Sequence, residues 1–160
     1  MTQIRVMSRN KAIRYSYSDH PLTLIISIRD VGRAIPHFRK GDLIVHYFEF
    51  DDVEEDSVHG FPISMEQAQK IAEVIKSTSV DNIVVHCEAG VSRSAGVAAA
   101  IGMFLNNDDS FIFNDGRYCP NNTCYRKVME AFGLKNDGSV FAQKLDTNLK
   151  AWRKYNGLEE

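Results

Sequence analysis

Residues 82–105, NIVVHCEAGVSRSAGVAAAIGMFL, constrain the fold more than any other stretch of the chain. Ile83, Val84 and Val85 form a continuous β-branched run, the pattern of a strand covered on both faces. The run from Ser94 to Leu105 is apolar almost all round, so it reads as a buried helix, and it is too short to span a bilayer. A buried strand passing through a tight loop into a buried helix requires layers on both sides, which is the logic of an α/β domain.

The remaining apolar patterns agree. Ile4 to Met7, Leu22 to Ile28 and Leu43 to Phe50 read as three further strands, with Asn82 to His86 central among them. Ser64 followed by Gln67 is a capping-box pattern, and Met65, Ala68, Ala72 and Ile75 then recur at helical spacing, which predicts a crossover helix. A helix opens at Pro120 and runs to Phe132. Another carries Phe141, Leu145, Leu149 and Trp152 on one face, expected to pack on the core. GLKNDG between them, residues 133–138, is a turn. The expectation is a single domain over residues 1–160, with a central, mostly parallel sheet of four to five strands flanked by helices. With 160 residues and 44% hydrophobic composition, such a core needs no disulfide or structural metal.

Nineteen Lys and Arg against 21 Asp and Glu give a net charge of −2, no electrostatic footprint for nucleic acid or an anionic membrane. The first residues, MTQIRVMSRN, lack the apolar core of a signal peptide. Cys87, Cys119 and Cys124 make an odd count without framework spacing, which suits a reducing, cytoplasmic setting. CPNNTC is read as two reduced thiols near a helix start rather than a metal or redox site. The chain is taken as a monomer without metal or cofactor.

Chemistry concentrates between strand and helix. A loop at the C-terminal end of a central parallel strand, opening a helix, aims backbone N–H groups and the positive helix end at one point, which suits a dianionic phosphate. That field favours thiolate over thiol at Cys87, a competent nucleophile without a separate base. Arg93, six residues on, can hold two oxygens of the same anion bidentately. Gly90 lets the loop turn tightly, and Ser94 can cap the helix and donate to the sulfur. Glu88, Ala89, Gly90, Val91, Ser92 and Arg93 then form the phosphate-binding ring.

These residues, HCEAGVSRS, resemble the signature of the protein tyrosine phosphatase and dual-specificity phosphatase superfamily, HCxxGxxRS in this chain. The resemblance extends more weakly from LTLIISI to CPNNTCYRKVMEAFG, where dual-specificity phosphatases carry Pro-Asn before a helix, here Pro120 and Asn121. It implies a hydrolase that removes phosphate from phosphotyrosine, with phosphoserine and phosphothreonine left open, through a cysteinyl-phosphate intermediate. Cys87 is then the nucleophile, Arg93 the phosphate-binding arginine, Ser94 the hydroxyl that helps the thiolate leave, His86 the residue tuning the cysteine and Asn121 a supporting residue. The partner implied is a phosphorylated protein or peptide.

The leaving oxygen needs a proton, and the family uses an Asp some thirty to forty residues before its cysteine. FEFDDVEED offers Asp51, Asp52 and Asp56 after a strand that ends at the same sheet edge. Asp52 is favoured, then Asp51, because the acid should lie near the rigid strand end. Mutual repulsion would help keep one carboxyl protonated. Most of the six acids among residues 49–56 are expected to be a solvated, mobile loop. The chain has no tryptophan before Trp152, so the Trp-Pro-Asp subfamily is disfavoured, and the loop lacks the lysines of phosphoinositide-directed relatives; a compact dual-specificity-like or prokaryotic-type enzyme fits. Phosphate recognition without turnover, rhodanese-like sulfur transfer and RNA 5′-triphosphate removal are the rival readings. Against them stand the thiol itself, the complete His-Cys to Arg-Ser frame and the absent basic excess, respectively.

Overall fold

The computed structural model describes residues 1–158. Four strands, β1 (Gln3–Ser8), β2 (Thr23–Arg29), β3 (Leu43–Glu49) and β4 (Asn82–Cys87), form one all-parallel sheet in the order β1-β4-β2-β3. The β-branched run lands where its composition requires: all six residues of β4 are buried, between β1 on one side and β2 on the other. Because every strand points the same way, Ser8, Arg29, Glu49 and Cys87 all lie at the C-terminal edge, and the segments that follow them meet there.

Alternation along the strands divides the core. Leu24, Ile26, Ile28, Ile83 and Val85 face a large cluster built with α2 (Met65–Ser77), α3 (Arg93–Asn106) and α5 (Asn122–Ala131). Ile25 and Val84 face a smaller cluster with Met7, Ala12 and Tyr17, covered by α1 (Arg9–Arg14) and by Phe38 from the β2–β3 connection. The capping box forms as its spacing predicts, Ser64 Oγ accepting from Gln67 N at 3.1 Å and Gln67 Oε1 accepting from Ser64 N at 2.9 Å. The helix from Arg93 is buried through Gly102, and α5 crosses it closely enough that a Cβ on Gly96 would lie 2.5 Å from the Asn121 carbonyl.

Two short helices, α1 and α4 (Ser110–Phe113), escape the periodicity because they are single turns or little more. The last helix, α6 (Gly138–Tyr155), departs from its expected packing: Phe141 and Leu145 reach the core, Trp152 is half-buried, and Leu149 is exposed. Polar contacts hold it instead. Lys144 Nζ meets Asp109 at 2.6 Å and Tyr125 Oη at 3.2 Å, and Asn148 Nδ2 donates to the Tyr118 carbonyl at 3.0 Å. No helix among the described residues is long and apolar enough to cross a membrane.

Candidate active site

β4 delivers Cys87 to the sheet edge, residues 88–92 turn back, and α3 begins at Arg93. The turn is possible because Gly90 takes φ +70° and packs against β1: a Cβ there would sit 2.4 Å from Ser8 N and 2.5 Å from Met7 C. The loop's carbonyls are bound by the surrounding fold. Glu88 O accepts from Arg9 N at 3.1 Å, Val91 O from Cys119 N at 3.1 Å, and Ser92 O from Asn121 N and Gly96 N at 3.0 and 2.9 Å. The N–H groups of Glu88, Ala89, Val91 and Ser92 have no acceptor among the described residues, while Gly90 N donates to Cys87 Sγ at 3.3 Å. Ser92 occupies the N-cap position of α3 without capping it, so the first-turn amides of that helix are open as well.

Cys87 is 2% exposed, where β4 enters this turn. Ser94 Oγ lies 3.1 Å from its sulfur. Ser94 sits inside the helix rather than at its cap, so of the two roles expected for its hydroxyl the structure provides the contact with sulfur and not the cap. His86 is fully buried, with Nε2 2.6 Å from Ser27 Oγ and Nδ1 3.2 Å from the Cys87 carbonyl. A carbonyl only accepts, so Nδ1 carries the proton and Ser27 donates to Nε2. Burial pushes the imidazole down to about 4, and the ring is neutral near pH 7. Phe38 packs edge-on against it at 5.6 Å.

Arg93 is 4% exposed and held from one side. Its Nη1 donates to the Phe50 carbonyl at 2.8 Å and meets Asp30 Oδ1 at 2.7 Å, whereas its Nε is buried without a partner among the described residues. The Glu88 side chain turns to Arg33 Nε (3.3 Å) and Arg9 Nη1 (3.7 Å).

The acidic segment after β3 is solvated at Asp52, Glu55 and Asp56, as its composition suggests, but it is tethered by side-chain contacts. Asp51 accepts from Val31 N at 3.0 Å and Phe61 N at 2.9 Å, and these two backbone donors hold its carboxyl below the usual carboxylate range. Repulsion among neighbouring acids therefore does not keep Asp51 protonated. Asp52 Oδ1 accepts from Ser92 Oγ at 2.7 Å and from Asn121 Nδ2 at 3.1 Å, which brings this carboxylate to the loop. Glu54 accepts from Asn122 N at 3.1 Å and Thr123 N at 2.9 Å at the start of α5, and Glu55 pairs with Lys127 at 3.5 Å. Asp56 is exposed and lines a separate cleft with Arg126 and Phe141. Asn121 ties these parts together: its Oδ1 caps α5 through Cys124 N at 2.9 Å while its Nδ2 reaches Asp52 and the Val53 carbonyl.

The structure brings Ser94 and Gly90 N to the Cys87 sulfur with His86 on the Cys87 carbonyl, joins Asp52 to Ser92 and Asn121, and sets the Arg93 guanidinium on the Phe50 carbonyl and Asp30. It directs Asp51 and the Glu88 carboxylate to other partners. Sequence reasoning missed the segment Asp30–Ala34, which contributes Asp30 to Arg93, Val31 N to Asp51, Arg33 to Glu88 and the Ala34 carbonyl to Arg9 Nη2 at 2.7 Å. The signal was present: Asp30 follows a buried, largely apolar strand at the same edge, the argument already applied to Asp51 and Asp52. Cys87, Cys119 and Cys124 are free thiols, and burial raises both Cys119 and Cys124, the latter strongly. Two wider clefts, each of about 700 Å³, lie elsewhere, one along β1 and one between β3 and α2. No family model matches this chain, and no curated protein matches it.

Proposed function

We propose that the protein is a cysteine-dependent phosphatase of the tyrosine and dual-specificity type, acting on phosphorylated protein or peptide in the cytoplasm. The observation that carries this reading is the loop's polarity. Its carbonyls are bound by α1, α3 and the segment before α5, which leaves four unpaired amides in the loop that follows one buried thiol, and an unpartnered Nε on the Arg93 that ends it. A buried donor without a partner, such as Arg93 Nε, is costly, and an oxyanion can satisfy it together with open loop amides.

In the reaction, Cys87 Sγ attacks phosphorus and the ester P–O bond breaks. Asp52 supplies the proton to the leaving oxygen, because one of its oxygens is anchored by Ser92 and Asn121 and the other is free to carry it. Arg93 and the loop amides stabilise the equatorial oxygens as charge spreads over them. Water then attacks the cysteinyl-phosphate and gives its proton to Asp52. Phosphate forms, and the Ser94 hydroxyl donates to the departing sulfur. A nucleophile 2% exposed favours long aryl esters over short alkyl ones, which makes phosphotyrosine the first substrate to try.

Cys87→Ser tests the assignment. It should lower turnover of p-nitrophenyl phosphate and a phosphotyrosine peptide by at least about 10³-fold while phosphopeptide binding persists. Vanadate should compete with substrate, and chelation should leave the rate unchanged. Near-native turnover in Cys87→Ser, or activity lost to a chelator and restored by a divalent ion, would assign the chemistry elsewhere. Matched phosphothreonine peptides decide between tyrosine and dual specificity.

A further inference from the structure

We infer that Asp30 is a positioning residue that sets which edge of Arg93 faces the substrate; the inference rests on the phosphatase reading. A guanidinium offers five N–H donors in a planar fork, and a tetrahedral oxyanion takes two parallel ones from a single edge. Nη1 of Arg93 is already engaged, donating to the Phe50 carbonyl at 2.8 Å and ion-paired with Asp30 Oδ1 at 2.7 Å. The edge left for an anion is Nε with Nη2, and Nε is the buried nitrogen without a partner. The Phe50 carbonyl alone fixes one proton direction and leaves rotation about that contact. Asp30 supplies the second point that fixes the plane.

The fold places Asp30 firmly enough for this task. It follows β2, whose residues from Thr23 to Ile28 are buried, and a turn through Gly32 (φ +82°) closes with Arg33 N donating to the Asp30 carbonyl at 3.0 Å. Val31 N is held by Asp51 at 3.0 Å, so the carboxylate of Asp51 anchors the segment that carries Asp30. The Asp30 side chain itself is 48% exposed, and removing it opens no core cavity. Asp30 does not touch the reacting atoms; it acts through Arg93.

A carboxylate beside a phosphate site has a second consequence that separates positioning from simple charge. If Asp30 acted only by its field, it would repel the anion, and its removal would tighten binding. If it aligns the Nε edge, its removal weakens binding, most for the trigonal-bipyramidal geometry of the transition state, where two equatorial oxygens must meet two N–H groups.

The experiment compares Asp30→Ala and Asp30→Asn with wild type by kcat, KM, and inhibition constants for vanadate and inorganic phosphate. Asp30→Ala should lower kcat/KM for p-nitrophenyl phosphate by about 10²-fold, mainly in kcat, and should weaken vanadate more than phosphate. Asp30→Asn, which keeps an oxygen to accept from Nη1, should recover most of the loss. Tighter binding of both anions in the two variants alike would overturn the inference in favour of a field effect. So would unchanged kinetics with a lowered melting temperature. The failure of the phosphatase reading is distinguishable: wild type would then not hydrolyse the ester, or Cys87→Ser would still do so. An active wild type with an indifferent Asp30 defeats this inference alone.

Discussion

The two irregular segments that meet at Ser92 and Asp52, residues 88–92 and residues 51–56, are held by opposite means. The first is fixed through its backbone: Glu88, Val91 and Ser92 carbonyls are bound by the surrounding fold and Gly90 is pressed on β1. The second is fixed through its side chains, with Asp51, Asp52, Glu54 and Glu55 each gripping a different neighbour. A backbone-built loop leaves its amides for a ligand. A segment built on carboxylates can place one acid group at the same point while the others act as anchors. In the proposed reaction the first supplies fixed donors and the second one proton carrier.

Gly90→Ala should break the backbone-built half most severely. A methyl at φ +70° must push into the Ser8 and Met7 backbone, which cannot yield as a flexible side chain would. A destabilisation of about 2–4 kcal/mol, with a loss of kcat/KM of at least about 10²-fold at temperatures where the fold persists, is the expected outcome. Denaturant melts and steady-state rates check it, and a Gly90→Ala protein with wild-type kinetics would mean that the turn is not tied to catalysis.

That asymmetry also decides what could be read in advance. The strand, the glycine and the buried helix are local patterns, so Asn82 to Arg93 was legible as a unit, and a mostly parallel α/β sheet followed from the apolar runs; that all four strands are parallel comes from the structure. The partners of residues 51–56 lie far away in the chain: Asp51 depends on Val31, Asp52 on Ser92 and Asn121, Glu54 on α5. Six acids in eight residues carry no local mark of which one is clamped; composition gave the exposure of Glu49, Asp52, Glu55 and Asp56 but not the contacts that tether the segment. Asp30 was missed for the same reason, since its partner Arg93 comes from a different element. In α6 the apolar stripe was legible, but Lys144 and Asn148, which hold the helix, fall outside any apolar pattern.

Neighbouring acids sharpen the comparison within the second segment. Asp52→Asn should lower kcat by about 10²-fold for poor leaving groups and much less for p-nitrophenol, the dependence a lost proton donor produces. Asp51→Asn should lower stability by about 1–2 kcal/mol, because its amide nitrogen faces the Phe61 or Val31 N–H without accepting from it, and any rate loss should be independent of the leaving group. A Brønsted series on both variants separates the roles. If Asp51→Asn shows the leaving-group dependence, the two assignments exchange.

Acid should dissolve the two halves in different windows. His86 beneath the loop is neutral in the fold, its value lowered from 6.5 to about 4, so the unfolded chain binds the proton first. Its contribution is complete above the unfolded value and is lost as pH falls from about 6.5 toward 4, by up to about 3 kcal/mol from the cited shift. Asp51 is lowered from 3.8, so its contribution is intact at those pH values and is lost only as pH falls through its folded value. Urea denaturation between pH 8 and pH 4 should show the histidine slope in wild type, and a flat profile there would mean that His86 charges without cost.

The smallest effect concerns Ser94, whose hydroxyl lies 3.1 Å from Cys87 Sγ while its backbone sits inside the first turn of α3. In the first step of the proposed reaction the sulfur is the attacking group, and a hydrogen bond to it makes it less nucleophilic. In the second step the sulfur leaves, and the same hydrogen bond stabilises the charge it takes away. Ser94→Ala should therefore slow hydrolysis of the cysteinyl-phosphate by about 10-fold and leave its formation nearly unchanged, since one such hydrogen bond contributes roughly 1–2 kcal/mol. With p-nitrophenyl phosphate the variant should release a burst of phenol close to one equivalent before the steady state, and acid quenching should trap phosphate on Cys87. The side chain does not cap α3, so the melting temperature should fall only slightly. Stopped-flow absorbance decides the point: a slowed variant without a burst would place the Ser94 hydroxyl in the first step and remove it from the second.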